Sequence, residues 1–193
     1  MARKKRRLLT PVSFKMPKNF MLSATFIIGV ALGYGSGEWT SFSSSSIKIE
    51  QSTVRACFTP GNNCEGQIIS LISNAQSEIL VQAYGFTSEN LSKALLTAHN
   101  RGVLVKILYD NNAAKQSSSK IPQMQSLGIK SIPDRVKGIA HNKVMVIDKE
   151  IVITGSYNWS NAAKNKNSEN IIIISNPELA DSYIKNWLVR SGN

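Results

Sequence analysis

Residues 78–109 read EILVQAYGFTSENLSKALLTAHNRGVLVKILY, and their order decides the fold class. Glu78–Tyr84 is an apolar run of strand length. Ser88 stands where a helix N-cap belongs, since its hydroxyl can accept from the free N–H groups of a first turn. Leu91, Leu95 and Ala98 then recur at helical spacing, and Arg101-Gly102 marks the end. Val103–Tyr109 is a near-continuous apolar run, the pattern of a strand covered on both faces. Strand, helix, strand in about thirty residues is a βαβ unit.

The same alternation extends outward. Gly66–Ala75 places Ile68, Leu71, Ile72 and Ala75 on one helical face. Asn111–Ser119 is polar and reads as a loop, followed by a short helix at Gln123–Leu127 and a brief strand around Ile129–Ile132. Lys143–Ile147, Ile151–Thr154 and Asn170–Ile174 are strand runs, and Pro177–Val189 is a closing helix with Pro in its first turn. The Asp148-Lys-Glu connection joins two apolar runs as a hairpin. The expected architecture is therefore α/β: a mixed, largely parallel sheet flanked by helices on both faces, in a single domain. No internal repeat is visible.

The chain has 193 residues and a net charge of +11, which suggests an anionic partner. The charge is unevenly placed. Residues 1–18 hold seven Lys or Arg and no acid, leaving 16 basic and 12 acidic residues beyond. Phe20–Tyr34 (FMLSATFIIGVALGY) is uncharged. About 15 residues is short for a membrane-spanning helix of roughly 20 and suits the apolar region of an export signal. Residues 1–37 are thus read as a signal peptide or a membrane anchor. The first places the protein in the periplasm or outside the cell; the second ties it to the inner membrane through residues 20–34. Residues 38–52 are a Ser-rich linker and 53–193 the folded domain.

Cys57 and Cys64 are the only cysteines. A Pro-Gly-Asn-Asn turn between them can bring them together, so in an oxidising compartment they form a disulfide; the alternative is two buried thiols. No nearby His completes a zinc site, and no metal or cofactor is expected.

The chemistry concentrates in His141-Asn-Lys143-Val-Met-Val-Ile-Asp148. Side chains alternate along a strand, so His141 and Lys143 share a face. Gly155-Ser156-Tyr157-Asn158 follows at the end of the next strand, where hydroxyl and amide groups suit an oxyanion. Glu169 stands at the mouth of the last strand, where a carboxylate can orient an imidazole. Each residue has a plainer reading as well: Ser156 and Asn158 as turn formers, Tyr157 and Trp159 as core or as surfaces for a substrate ring. His99, the second histidine, reads as a helix C-terminal residue.

His-x-Lys, four residues, Asp, then Gly-Ser-x-Asn resembles the phospholipase D superfamily. With Glu169 after Asn165-Lys-Asn-Ser, the pattern resembles its small single-motif bacterial endonucleases. Ala56–Pro60, Ile79–Phe86 and Arg101–Asp110 agree in type and order, so the resemblance covers residues 54–190. It implies the α/β/α sandwich of that superfamily and a phosphodiesterase that needs no metal. His141 would attack phosphorus or, in a paired subunit, protonate the leaving oxygen. Lys143, Ser156 and Asn158 would hold the phosphate oxygens and Glu169 the outer nitrogen of His141; Asp148 counts with the catalytic residues, more as support for the local structure than as a contact to substrate. Two histidines are needed and one motif is present, so a homodimer sharing one active site is expected. The expected activity is that of a low-specificity endonuclease cleaving DNA, or RNA, through a phosphohistidine intermediate. The alternatives are a phospholipid or cardiolipin phosphodiesterase and a non-catalytic nucleic-acid-binding domain.

Overall fold

The computed structural model describes residues 52–192. The apolar segment 20–34, the linker up to residue 51 and the proposed boundaries there lie outside the described residues.

Seven strands form one sheet in the order β1-β7-β6-β5-β2-β3-β4. The strands are β1 (Thr53–Thr59), β2 (Glu78–Ala83), β3 (Leu104–Tyr109), β4 (Lys130–Pro133), β5 (Lys143–Ile147), β6 (Ile151–Gly155) and β7 (Glu169–Ser175). The helices are α1 (Cys64–Asn74), α2 (Glu89–Asn100), α3 (Ile121–Ser126), α4 (Asn161–Asn165) and α5 (Pro177–Ser191). The sheet is mixed, as expected, but it is not largely parallel. Only β2–β3 and β3–β4 pair in parallel; β1–β7, β7–β6, β6–β5 and β5–β2 are antiparallel. The reason lies in the connections. Helical crossovers keep β2, β3 and β4 parallel, whereas the tight Asp148-Lys149 turn reverses the chain.

Period two splits β2 between two layers. Ile79, Val81 and Ala83 pack with Ile68 and Ile72 of α1 and Leu91, Leu95 and Ala98 of α2. Leu80 faces the other side, with Val144, Val146 and Val152, beneath Ala180 and Trp187 of α5. Each fully buried Ile or Leu contributes about 1.5–3 kcal/mol of transfer free energy. The Ser88 side chain does accept from Leu91 N at 3.2 Å, capping α2.

Two elements were not expected. β1 is an edge strand with only Cys57 and Thr59 facing inward, so it lacks a strong apolar run. α4 has five residues and buries only Ala163. It is capped by Ser160, which accepts from Ala163 N at 3.2 Å, and Thr59 Oγ1 donates to Ala163 O at 2.7 Å. Cys57 and Cys64 are joined in a disulfide that ties β1 to the first turn of α1.

Candidate active site

The topology brings one set of strand ends together. Ala83 at the end of β2 pairs with Lys143 at the start of β5, Gly155 at the end of β6 with Ile171, and Thr59 at the end of β1 with Glu169. The carboxyl ends of β2 and β3 therefore open onto the amino ends of β5 and β7, as in α/β sites generally.

His141 is exposed and Lys143 is buried, two residues apart. Lys143 is 6% exposed, and its Nζ donates to the His141 carbonyl oxygen at 2.6 Å. The same ammonium lies 4.9 Å from the centre of the Tyr84 ring, and the His141 ring lies 4.4 Å from it at a 55° tilt. One aromatic ring thus touches both groups. Burial pulls the Lys143 ammonium below its ordinary range, and the Glu169 carboxylate pulls it partly back.

Asp110, just past β3, fixes the approach to His141. Its Oδ2 accepts from Ala140 N at 3.0 Å, and its Oδ1 accepts from Asn112 N and Ala113 N. Burial raises its pKa, but the N–H groups of Ala113, Ala140 and Asn112, helped by His141, bring it below the ordinary value.

The Gly155–Ser160 loop is tied down on both sides. Ser156 N and Tyr157 N donate to Asn170 O, and Trp159 N donates to Gly85 O at 3.1 Å. A Cβ at Gly155 would collide with the Asn170 carbonyl oxygen, so glycine is required there. Asn158 Oδ1 is buried without a partner, close to Gly85. Tyr157 and Trp159 are 1% and 0% exposed and belong to the core, so neither offers a face to a substrate ring.

Two expectations change. Asp148 lies at the opposite end of β5 from His141, in the β5–β6 turn. Its carboxylate accepts from Gln76 N, Ser77 N, Glu78 N and Ser77 Oγ at 2.7–3.0 Å. A catalytic place for it is therefore withdrawn: its lone pairs are committed to backbone far from the cleft. Glu169 does not bond the His141 ring of the same chain. Its oxygens accept from Ser156 Oγ at 2.6 Å and Asn167 Nδ2 at 2.9 Å, two donors on its own side of the site. His141, Lys143, Ser156, Asn158 and Glu169 do share one end of the sheet. Tyr84 and Asp110 were not singled out. Their signal was positional, each directly following an apolar strand run where α/β ligands bind.

Residues 68–188 match the family model described as cardiolipin synthase, PLD-like domain. The chain belongs to the phospholipase D superfamily. It is 42% identical to a phospholipase D of Rickettsia felis over 196 residues, covering 93% of this chain and 98% of the relative. The solved structure of Nuc, a phospholipase D family member from Salmonella typhimurium, superposes with a TM-score of 0.69 at 35% identity, covering 72% of this chain and 94% of that one. A mitochondrial cardiolipin hydrolase of Xenopus tropicalis is 32% identical over 117 residues, covering 61% of this chain and 56% of that protein. The protein is accordingly a phospholipase D superfamily hydrolase, and its chemistry is phosphodiester cleavage.

Proposed function

We propose that this phosphodiesterase is an exported, low-specificity endonuclease. His141 attacks phosphorus to form a phosphohistidine, which water then hydrolyses. The observation that carries this reading is the pairing of an exposed imidazole with a buried ammonium on one strand end. The imidazole is open to substrate, and the ammonium neutralises the charge of a five-coordinate transition state. Asn158 adds an amide at the same sheet end, and the Ser156 hydroxyl, which donates to Glu169, turns to the phosphate by giving up that bond. A phosphohistidine step needs a second imidazole to protonate the leaving oxygen, and His99 is turned away, its Nε2 packed toward Gly128. The second His141 comes from another copy, in a homodimer with one shared cleft. The Cys57–Cys64 disulfide supports export, since such bonds persist in oxidising compartments. The proposed reaction is metal-free, with the Lys143 ammonium supplying the positive charge at the phosphate.

A lipid phosphodiesterase is the second reading, favoured by one observation. Val136 and Ile139 are exposed just before His141, beside Arg135 and Lys137, a combination suited to an anionic bilayer surface. The relatives named phospholipase D and cardiolipin hydrolase point the same way. One experiment separates these readings: the full chain is incubated with plasmid DNA, RNA and cardiolipin vesicles, each with excess EDTA. Cleavage of nucleic acid is expected. Loss of cleavage on chelation, restored by Mg²⁺ or Zn²⁺, refutes the metal-free mechanism; turnover of vesicles alone refutes the nuclease; binding without cleavage of any substrate leaves a silent nucleic-acid-binding domain.

A further inference from the structure

A cleft of about 370 Å³ opens where the site end of the sheet meets α5. It is lined by Gln82, Asn142, Ser182, Tyr183 and Asn186. None of these is Lys, Arg, Asp or Glu, so the cleft is neutral; it lies on the α5 face, around the same sheet end as His141 and Lys143. The chain itself makes the junction. Asn142 lies between His141 and Lys143, and Gln82 is two residues before Tyr84, whose ring touches both.

The polar groups in the cleft are arranged, not scattered. Gln82 is only 3% exposed, and its Nε2 donates to Asn186 Oδ1 at 3.1 Å. That bond uses one amide's donor and the other's acceptor. Whichever way the two amides are assigned, one carbonyl oxygen and one NH₂ group remain side by side. An adjacent acceptor and donor matches a nucleobase edge, the pairing by which Asn and Gln read bases. Tyr183 adds an aromatic wall, and single-stranded bases stack on such rings. A neutral, hydrogen-bonding cleft with an aromatic wall suits a planar base, which presents donors and acceptors on one edge and a face for stacking.

We propose that this cleft binds one unstacked nucleobase of the strand whose phosphate lies at His141. The proposal rests on the nuclease reading, and the test keeps the two apart. The full chain cleaves end-labelled single-stranded oligonucleotides in which one nucleotide is intact or abasic, with rates normalised to hydrolysis of bis(p-nitrophenyl) phosphate, which has no base. Phosphates beside the intact base are expected to be cut about tenfold faster than those beside the abasic position, within the range of one good amide–base contact. Asn186→Leu should bring that ratio toward one, and Ser182→Leu, filling the cleft from α5, should do the same. A wild-type ratio near one, or a ratio unchanged in both folded variants, overturns the subsite while leaving the nuclease standing. If the ester is hydrolysed and no oligonucleotide is cut, nuclease and subsite fall together. If the variants slow hydrolysis of phospholipid vesicles and leave the oligonucleotide ratio unchanged, the cleft belongs to a lipid headgroup and the proposal is wrong.

Discussion

Lys143 is a cation held at 6% exposure by a carbonyl oxygen and an aromatic face, while its neighbour His141 stands in solvent. Removing the imidazole therefore deletes little packing. His141→Ala is expected to keep the wild-type melting temperature and to retain under about one per cent of turnover, since acid–base function alone is worth about 10²–10⁴-fold. Circular dichroism and a cleavage assay on one preparation check both halves. Tyr157 is the opposite case. Its hydroxyl is buried without a partner, and burial together with the Glu65 and Glu169 carboxylates pushes its pKa up. An unsatisfied buried polar group costs about 1–3 kcal/mol, so Tyr157→Phe should leave stability unchanged or raise it. A clear fall in melting temperature would mean that the hydroxyl has a partner, such as a bound water.

The β5–β6 hairpin shows how one element explains a residue. Asp148 and Lys149 both have positive φ, 53° and 59°, the type I′ geometry that matches strand twist. Asp148 tolerates this conformation and also gathers the three N–H groups that lead into β2. Asp148→Ala should then destabilise the fold by about 1–3 kcal/mol in urea unfolding, while the folded fraction keeps its turnover. Loss of activity without loss of stability would restore a catalytic place for it. This distinction was hard to read from the chain, because spacing within a motif does not say at which end of a strand a carboxylate lies. β1 and α4 were illegible for a related reason. Neither has an apolar period of its own, and both are held by partners distant in sequence, β7 along a whole strand and Thr59 at Ala163.

At the scale of the molecule, three hydrogen-bonded carboxylates, two of them buried, share one bias. Glu65, Asp110 and Asp148 are each pushed up by burial and pulled further down by hydrogen bonds, ending below their ordinary values of 4.5, 3.8 and 3.8. A lowered folded pKa means that the unfolded chain takes up protons first on acidification. Their contribution is complete above about pH 4.5 and is lost as pH falls through the lowered values. Melting temperature should therefore be flat in this respect above that pH and drop below it, with a shallower acid limb in Asp148→Ala. The proposed dimer is tested by mixing His141→Ala with wild-type chains under conditions of subunit exchange. Activity should fall as the square of the wild-type fraction; a linear fall, or a fully active monomer by sedimentation, refutes the shared site.

The sequence by itself determined the layer architecture and which polar residues fall at one end of the sheet; their proposed roles at a phosphate came from the resemblance. Apolar runs with period two or near 3.6 state which faces must be buried, and His141, Lys143, Ser156, Asn158 and Glu169 each occupy a strand end that those periods locate. Strand direction was only partly legible, because a crossover and a reversal can join similar apolar runs. Tertiary structure alone decided four things: that most pairings are antiparallel, that Asp148 faces away from the cleft, that Glu169 bonds Ser156 and Asn167, and that Tyr84 lies against both His141 and Lys143. Each is a contact between residues far apart in the chain or at a strand end, and local periodicity carries no information about which distant donor a side chain will meet.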